Sequence, residues 1–125
     1  MNVKANELFD DAIEKLNEAN EELFKPKEEI VSYVVCKNAQ YAIENFLKGF
    51  LIQNDVDPEN FKTVDSLYEQ CKLIKKNFKK VDLSDFECKS HTIDSRYCDE
   101  VSKVSNCFVA ADNLDTFFRL EKIIK

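Results

Sequence analysis

The side chains that could carry out chemistry are few. The chain of 125 residues has one histidine, His91, and two arginines, Arg96 and Arg119. Proton transfer near neutral pH falls first to histidine, whose ordinary pKa lies in that range. Phosphate chemistry also needs a fixed cation beside the reacting group. His91 precedes both arginines, so neither arginine has a histidine after it. The five cysteines stand at 36, 71, 88, 98 and 107; the count is odd and no two are spaced CxxC. His91 lies near Cys88, but no second paired ligand group follows, so no metal site is expected. No carboxylate pair at helical spacing is joined by a histidine one turn on, which excludes a di-iron bundle centre. A single glycine excludes the glycine-rich loops that cradle phosphates. No cofactor is implied.

Two polar constellations remain as ligand-binding candidates. Gln40, Glu44 and Lys48 recur every fourth residue in an otherwise apolar stretch, with glutamate before lysine, the favourable order on a helix. Gly49 stands beside them and would let another backbone come close. The second set is Asp94, Arg96, Tyr97 and Asp99. As a functional pair the two sets would form a polar groove and an anion- or nucleotide-binding edge. As structure, Asp99 caps the last helix and Arg96 pairs with Glu44 across the molecule. Either way Glu44 is expected close to Arg96, because a partly buried charge needs a partner. His91 reads as an exposed loop residue, and Tyr33 and Tyr41 as packing residues whose hydroxyls reach the edge.

The elements that must position these residues are helical. Apolar residues make up 44% and charged ones 34%, as in soluble amphipathic helices, and one glycine with two prolines leaves too few turn formers for a sheet. Leu8, Ala12, Leu16, Ala19 and Leu23, widened by Phe9, Ile13 and Phe24, predict a first helix from about Asn2 to Phe24. Its other face carries Glu7, Asp11, Glu14, Glu18, Glu21 and Glu22. Pro26 suits the first position of a second helix running to about Asn54. That helix is apolar round much of its circumference, so it should be the central one. Asp55-Val56-Asp57-Pro58 stops it. Thr63 caps a third helix, Val64 to about Phe78, with Val64, Leu67, Cys71, Ile74 and Phe78 inward. Leu83 to Phe86 predicts a short helical turn, Cys88 to Cys98 a polar connector, and about Asp99 to Ile124 a fourth helix. Its inward residues are Val101, Val104, Phe108, Ala111, Leu114, Phe117, Phe118 and Ile123. The expected fold is all-α: an antiparallel bundle of four main helices plus a short connecting helix, one domain over residues 1–125.

Eighteen lysines and arginines against 24 acids give a net charge of −6, which repels nucleic acid at long range. The charge is segregated. Residues 1–30 hold nine acids and four lysines, net −5, whereas residues 62–80 hold six lysines and two acids, net +4. No targeting signal opens the chain, and no uncharged run approaches the roughly 18 residues of a membrane span. Unpaired cysteines suit a reduced, cytoplasmic protein.

Residues Cys36 to Leu51, with Ala39-Gln40-Tyr41-Ala42-Ile43-Glu44-Asn45-Phe46-Leu47-Lys48-Gly49 at their centre, resemble the second-helix signature of HEPN domains (higher eukaryotes and prokaryotes nucleotide-binding). Gly49 replaces the usual alanine. Asp94-Ser95-Arg96-Tyr97-Cys98-Asp99 resembles the arginine-tyrosine-proline-aspartate stretch that leads into the family's last helix, with Cys98 in place of proline. Lys62-Thr63-Val64-Asp65-Ser66-Leu67 stands where the family often has threonine-histidine-aspartate-leucine, without the histidine. The order and spacing of these motifs cover essentially the whole chain.

The resemblance implies a helical bundle that dimerises, and in some members a nucleotidyltransferase partner in a toxin-antitoxin pair. Many of those members are RNases, carrying an arginine followed a turn or two later by a histidine. That pair is absent here, so the resemblance implies a binding module for a nucleotide or a partner protein, with no catalytic residues assigned. The rival is an RNase with a rearranged site using Arg96 with His91 or Tyr97 and the lysines at 72–80. A third reading is a structural helical protein with no small ligand. The aromatic count on helices 2 and 4 (Tyr33, Tyr41, Phe46, Phe50, Phe108, Phe117, Phe118) independently predicts a homodimer built from those helices, unless helices 1 and 3 cover helix 2 within one chain. The cysteine pattern also makes a direct prediction. Thiol titration of the denatured protein without reductant should find all five cysteines free; three or fewer would contradict it.

Overall fold

The computed structural model describes residues 3–26, 28, 32–81 and 101–124, without the side chains of 32, 33 and 101–105. Four helices carry it: α1 (Val3–Leu23), α2 (Ser32–Gln53), α3 (Val64–Ile74) and α4 (Val101–Leu120), with 3₁₀ turns at Pro58–Asn60 and Lys76–Lys80. The described residues contain no strand, as expected from the scarcity of turn formers. The expected turn at Leu83–Phe86, the polar connector and the start of the last helix at Asp99 fall outside the described residues.

Helix α2 is enclosed. It packs against α1, α3 and α4, and between Val34 and Gln53 only Lys37 and Gln53 are exposed. Its apolar circumference is thus used up within the chain. Phe46 and Phe50 are buried, as are Phe117 and Phe118 of α4, while Tyr41 and Phe108 are half-buried. The aromatic count therefore does not itself require a second copy. The physical reason is that three helices, rather than one stripe, receive it. Tyr33's side chain lies outside the described residues.

α1 presents Ala5, Phe9, Ala12, Leu16 and Ala19 to the core. Two assignments change places at its end: Phe24, expected inward, is 81% exposed, and Glu22, expected outward, is buried. The helix ends at Leu23, so Phe24 leaves the inward spiral, whereas Glu22 continues it and takes the Lys25 ammonium at 2.9 Å. Pro26 is not helical. The single glycine has a clear cause. A Cβ on Gly49 would come within 2.6 Å of the Phe9 ring, which meets Phe118 edge-on at 5.7 Å. It is an aromatic side chain of α1, rather than another backbone, that needs the gap.

α2 ends through Asp55, in the left-handed region at φ 62°. The Asp57 carboxylate then accepts from the Glu59 amide at 3.0 Å to start the Pro58–Asn60 turn. Thr63 caps α3 through a reciprocal pair with Ser66, as its position before Val64 predicts. α3 stops four residues short of the expected Phe78, because Lys75 is extended. The break leaves Ile74 at the surface, contrary to expectation, and turns Phe78 fully inward. There its ring lies 4.8 Å from Phe117, 4.9 Å from Phe50 and 5.8 Å from Phe118. The buried Tyr68 hydroxyl sits 2.9 Å from the Phe78 carbonyl and 2.7 Å from that of Val81, and so ties the turn to α3. α4 ends at Leu120, with Lys122 left-handed at φ 59° and the Ile123 amide donating to the Phe118 carbonyl at 2.8 Å.

These contacts set two stabilities. Gly49→Ala should destabilise by about 1–3 kcal/mol through overpacking, reversing the roughly 1 kcal/mol that alanine ordinarily gains over glycine in a helix. A Phe9→Leu change in the same chain should recover part of that loss. Tyr68→Phe should cost about 1–3 kcal/mol by leaving buried carbonyls without a donor. Urea unfolding measures all three; a stabilised Gly49→Ala protein would refute the close-packing account.

Candidate functional site

The central helix carries its polar row inside the fold. Gln40 is 2% exposed and Glu44 is 1% exposed, while Lys48 is half-buried. The Gln40 amide donates to the Cys36 sulfur at 3.2 Å, one turn back. Glu44 is among the largest fully buried side chains, deeper than the partly buried position expected of it. A carboxyl at that depth is retained only with compensating polar contacts, because desolvation of the charge is expensive. Arg96, its expected partner, lies outside the described residues, as do Asp94, Tyr97, Asp99 and His91.

Further along α2 the polar row reaches the surface. Lys48 lines an open cleft of about 430 Å³ together with Leu8, Asn45, Ile52, Asp55 and Pro58. Gln40 and Glu44 do not line it. The three side chains therefore do not form one groove: two belong to the core and one to a surface cleft. The rim brings Lys4 and Lys48 together with Asp55, Asp57 and Glu59. Carboxylates outnumber ammonium groups there, and polyphosphate would meet repulsion as well as attraction. The apolar floor of Leu8, Ile52, Val56 and Pro58 suits a side chain or a ring better than a triphosphate.

One polar contact escaped the sequence. Asn45 is 7% exposed, and its amide donates to the Asp11 carboxylate at 2.6 Å, joining α2 to α1 at the wall of this cleft. The signal was faint: Asn45 follows Glu44 on the side of α2 that faces α1, where a residue of weak helix propensity has to be held by something. Cys36, Cys71 and Cys107 are all buried and none is in a disulfide; their burial is what their apolar neighbours predict. Burial pushes the Cys71 thiol far above its ordinary pKa, so it is an inert core atom rather than a nucleophile. Among the described residues no group of three or more His, Cys, Asp or Glu side chains is placed to hold a metal ion. No helix among them is long and apolar enough to cross a membrane.

Helices enclosing a central one, with a glutamine and a glutamate buried in its middle, define an all-α bundle with a polar core row. The chain belongs to the HEPN domain family, whose model matches residues 5–123. No curated protein and no solved structure matches it.

The split of the polar row separates two substitutions. Glu44→Ala should lower stability by about 1–3 kcal/mol, because it strips the polar partners of a buried group. Lys48→Ala should change stability by no more than about 0.5 kcal/mol, as expected at a surface position. Equal effects in urea unfolding would show that the two residues act as one unit.

Proposed function

We propose that this chain is a HEPN module that acts by binding rather than by cleaving RNA. It works as a dimer with a partner protein, a small nucleotidyltransferase of the toxin-antitoxin type, or with a nucleotide, in a reducing cytoplasm. The observation that carries the reading is the missing acid-base pair: neither Arg96 nor Arg119 is followed by a histidine, and His91 precedes both. Attack by a ribose 2′-hydroxyl requires one group to take a proton and another to give one near neutral pH. Lysine or tyrosine could substitute only with a strongly lowered pKa.

Of the two ligands, the cleft beside Lys48 favours a partner's side chain over polyphosphate, because carboxylates dominate its rim. HEPN domains often dimerise. Here the support for a dimer comes from the outer face of α4 rather than from α2. Val109 is 53% exposed and Leu120 is 74% exposed. They lie three turns apart on one side of that helix, where a twofold partner would cover both.

Two measurements test the proposal. Purified protein incubated with structured and single-stranded RNA should cleave neither above a contaminant control. Cleavage abolished by His91→Ala or Arg96→Ala would overturn the binding role and establish the rearranged RNase. Light scattering at micromolar concentration should give twice the 14.6 kDa of one chain. Val109→Glu should then give folded single chains, whereas a wild-type mass of one chain would defeat the dimer.

A further inference from the structure

The charge segregation of the sequence becomes two separate surfaces in the fold. On α1, Glu7, Asp10, Glu14 and Glu21 are all exposed. Their spacing alternates three, four and seven residues, which aligns them along one outer line of the helix. Val3, 66% exposed, and Phe24, 81% exposed, stand at the two ends of that line. None of these four carboxylates forms an ion pair among the described residues; Glu18, between Glu14 and Glu21 on the same line, is half-buried and takes Lys15 at 3.5 Å.

The opposite charge is held on a rigid support. Lys76, Lys79 and Lys80 are exposed on the 3₁₀ turn and likewise have no ion pair among the described residues. Phe78, fully buried between them, and the Tyr68 hydroxyl anchor the turn's backbone. The neighbouring Lys75 is already engaged, with its ammonium 3.2 Å from the Glu121 carboxylate. Asn77 donates to the same oxygen at 3.0 Å. Together they hold the Glu121 carboxyl below its usual range. Leu73, 79% exposed, stands one turn before the lysines. α1 and α3 both pack on α2 and share no packing of comparable extent with each other. The two charged surfaces therefore do not neutralise one another within the chain.

We propose that the lysine turn of one chain docks on the acidic outer line of α1 of a second copy, in a head-to-tail contact. The spacing matches. Residues three apart in a 3₁₀ turn stand one above the other, about 6 Å apart, and so do carboxylates three or four apart on α1, at about 5–6 Å. Leu73 gives the turn an apolar neighbour to set against Val3 or Phe24. An exposed leucine contributes nothing to holding phosphate, and among the described residues no exposed aromatic ring stands beside the lysines, so the surface favours protein over RNA. A head-to-tail contact leaves one free surface at each end, so association is open-ended unless a ring closes. This contact is independent of the α4 dimer and adds to whatever species that dimer gives.

Sedimentation velocity at about 0.05 M and about 0.5 M NaCl tests the contact, because exposed charge pairs lose most of their attraction at the higher salt. Wild-type protein should show a mass that grows with concentration at low salt, with an association constant at least tenfold weaker at high salt. The species left at high salt reports the α4 dimer; only the salt-dependent increment reports this contact. A turn variant (Lys76→Ala, Lys79→Ala, Lys80→Ala) and a line variant (Glu7→Gln, Asp10→Asn, Glu14→Gln, Glu21→Gln) should each lose the increment. Both should keep wild-type circular dichroism and unfolding midpoints. An equal mixture should regain the increment, because each variant supplies the surface the other lacks. A wild-type mass independent of salt, variants that associate like wild type, or a silent mixture would each overturn the proposal. Binding of single-stranded RNA or phosphatidylserine vesicles to the turn, without self-association, would overturn it too and reassign the lysines.

Discussion

Everything in this fold follows from the enclosure of α2. A helix apolar on most sides cannot stop at one partner, because any uncovered side would leave large side chains in water. α1, α3 and α4 each take a side, and the demands of that packing reach the surrounding residues. The Phe9 ring fills the space that any side chain at position 49 would claim. The aromatic cluster of Phe50, Phe78, Phe117 and Phe118 closes the end of α2 that α3 is too short to cover. α3 ends at Ile74, and the extended Lys75 leads into the 3₁₀ turn that buries Phe78 in this cluster.

Enclosure also decides what the buried polar residues can be. Gln40 and Glu44 lie buried in the middle of α2, where they contribute to the organisation of the interior. A buried polar group that must be satisfied disfavours alternative packings, since each would leave it without partners. The Asn45–Asp11 hydrogen bond does the same between α1 and α2, fixing how the two helices slide against each other. Lys48 alone on that row reaches a surface, and carboxylates outnumber ammonium groups around it.

The sequence was legible where periodicity governs. Its helix-forming stretches and the central place of α2 follow from apolar spacing. The Thr63 cap and the stop at Asp55–Pro58 follow from local hydrogen-bonding chemistry. What it concealed depended on contacts distant in sequence. Nothing near Ile74 signals that α3 breaks, because the cause is the aromatic pocket formed by α2 and α4. Phe24 left the inward spiral because α1 ends before it, while Glu22, three residues after Ala19, continues that spiral despite its charge. The polar row looked like one groove because a helical wheel shows which side residues face but not how deep they lie. Depth is set by where α1 and α4 cross α2. The family signature was legible at the same residues: its alanines, glutamine and glutamate all lie in the enclosed part of α2.

If the interior of α2 is closed and its polar row is structural, recognition has to use the outer surfaces of the other elements. Three of these differ in character. The outer line of α1 is acidic, the 3₁₀ turn after α3 is basic, and the outer face of α4 keeps Val109 and Leu120 in water. Charged surfaces act over about a Debye length and set which partners approach, while apolar ones act only on contact and set how long they stay. A chain that separates the two can therefore hold one partner through α4 while its charged surfaces select another. The net charge of −6 conceals this: it sums an acidic region, a basic region that offsets most of it, and a further acidic excess spread over the rest of the chain.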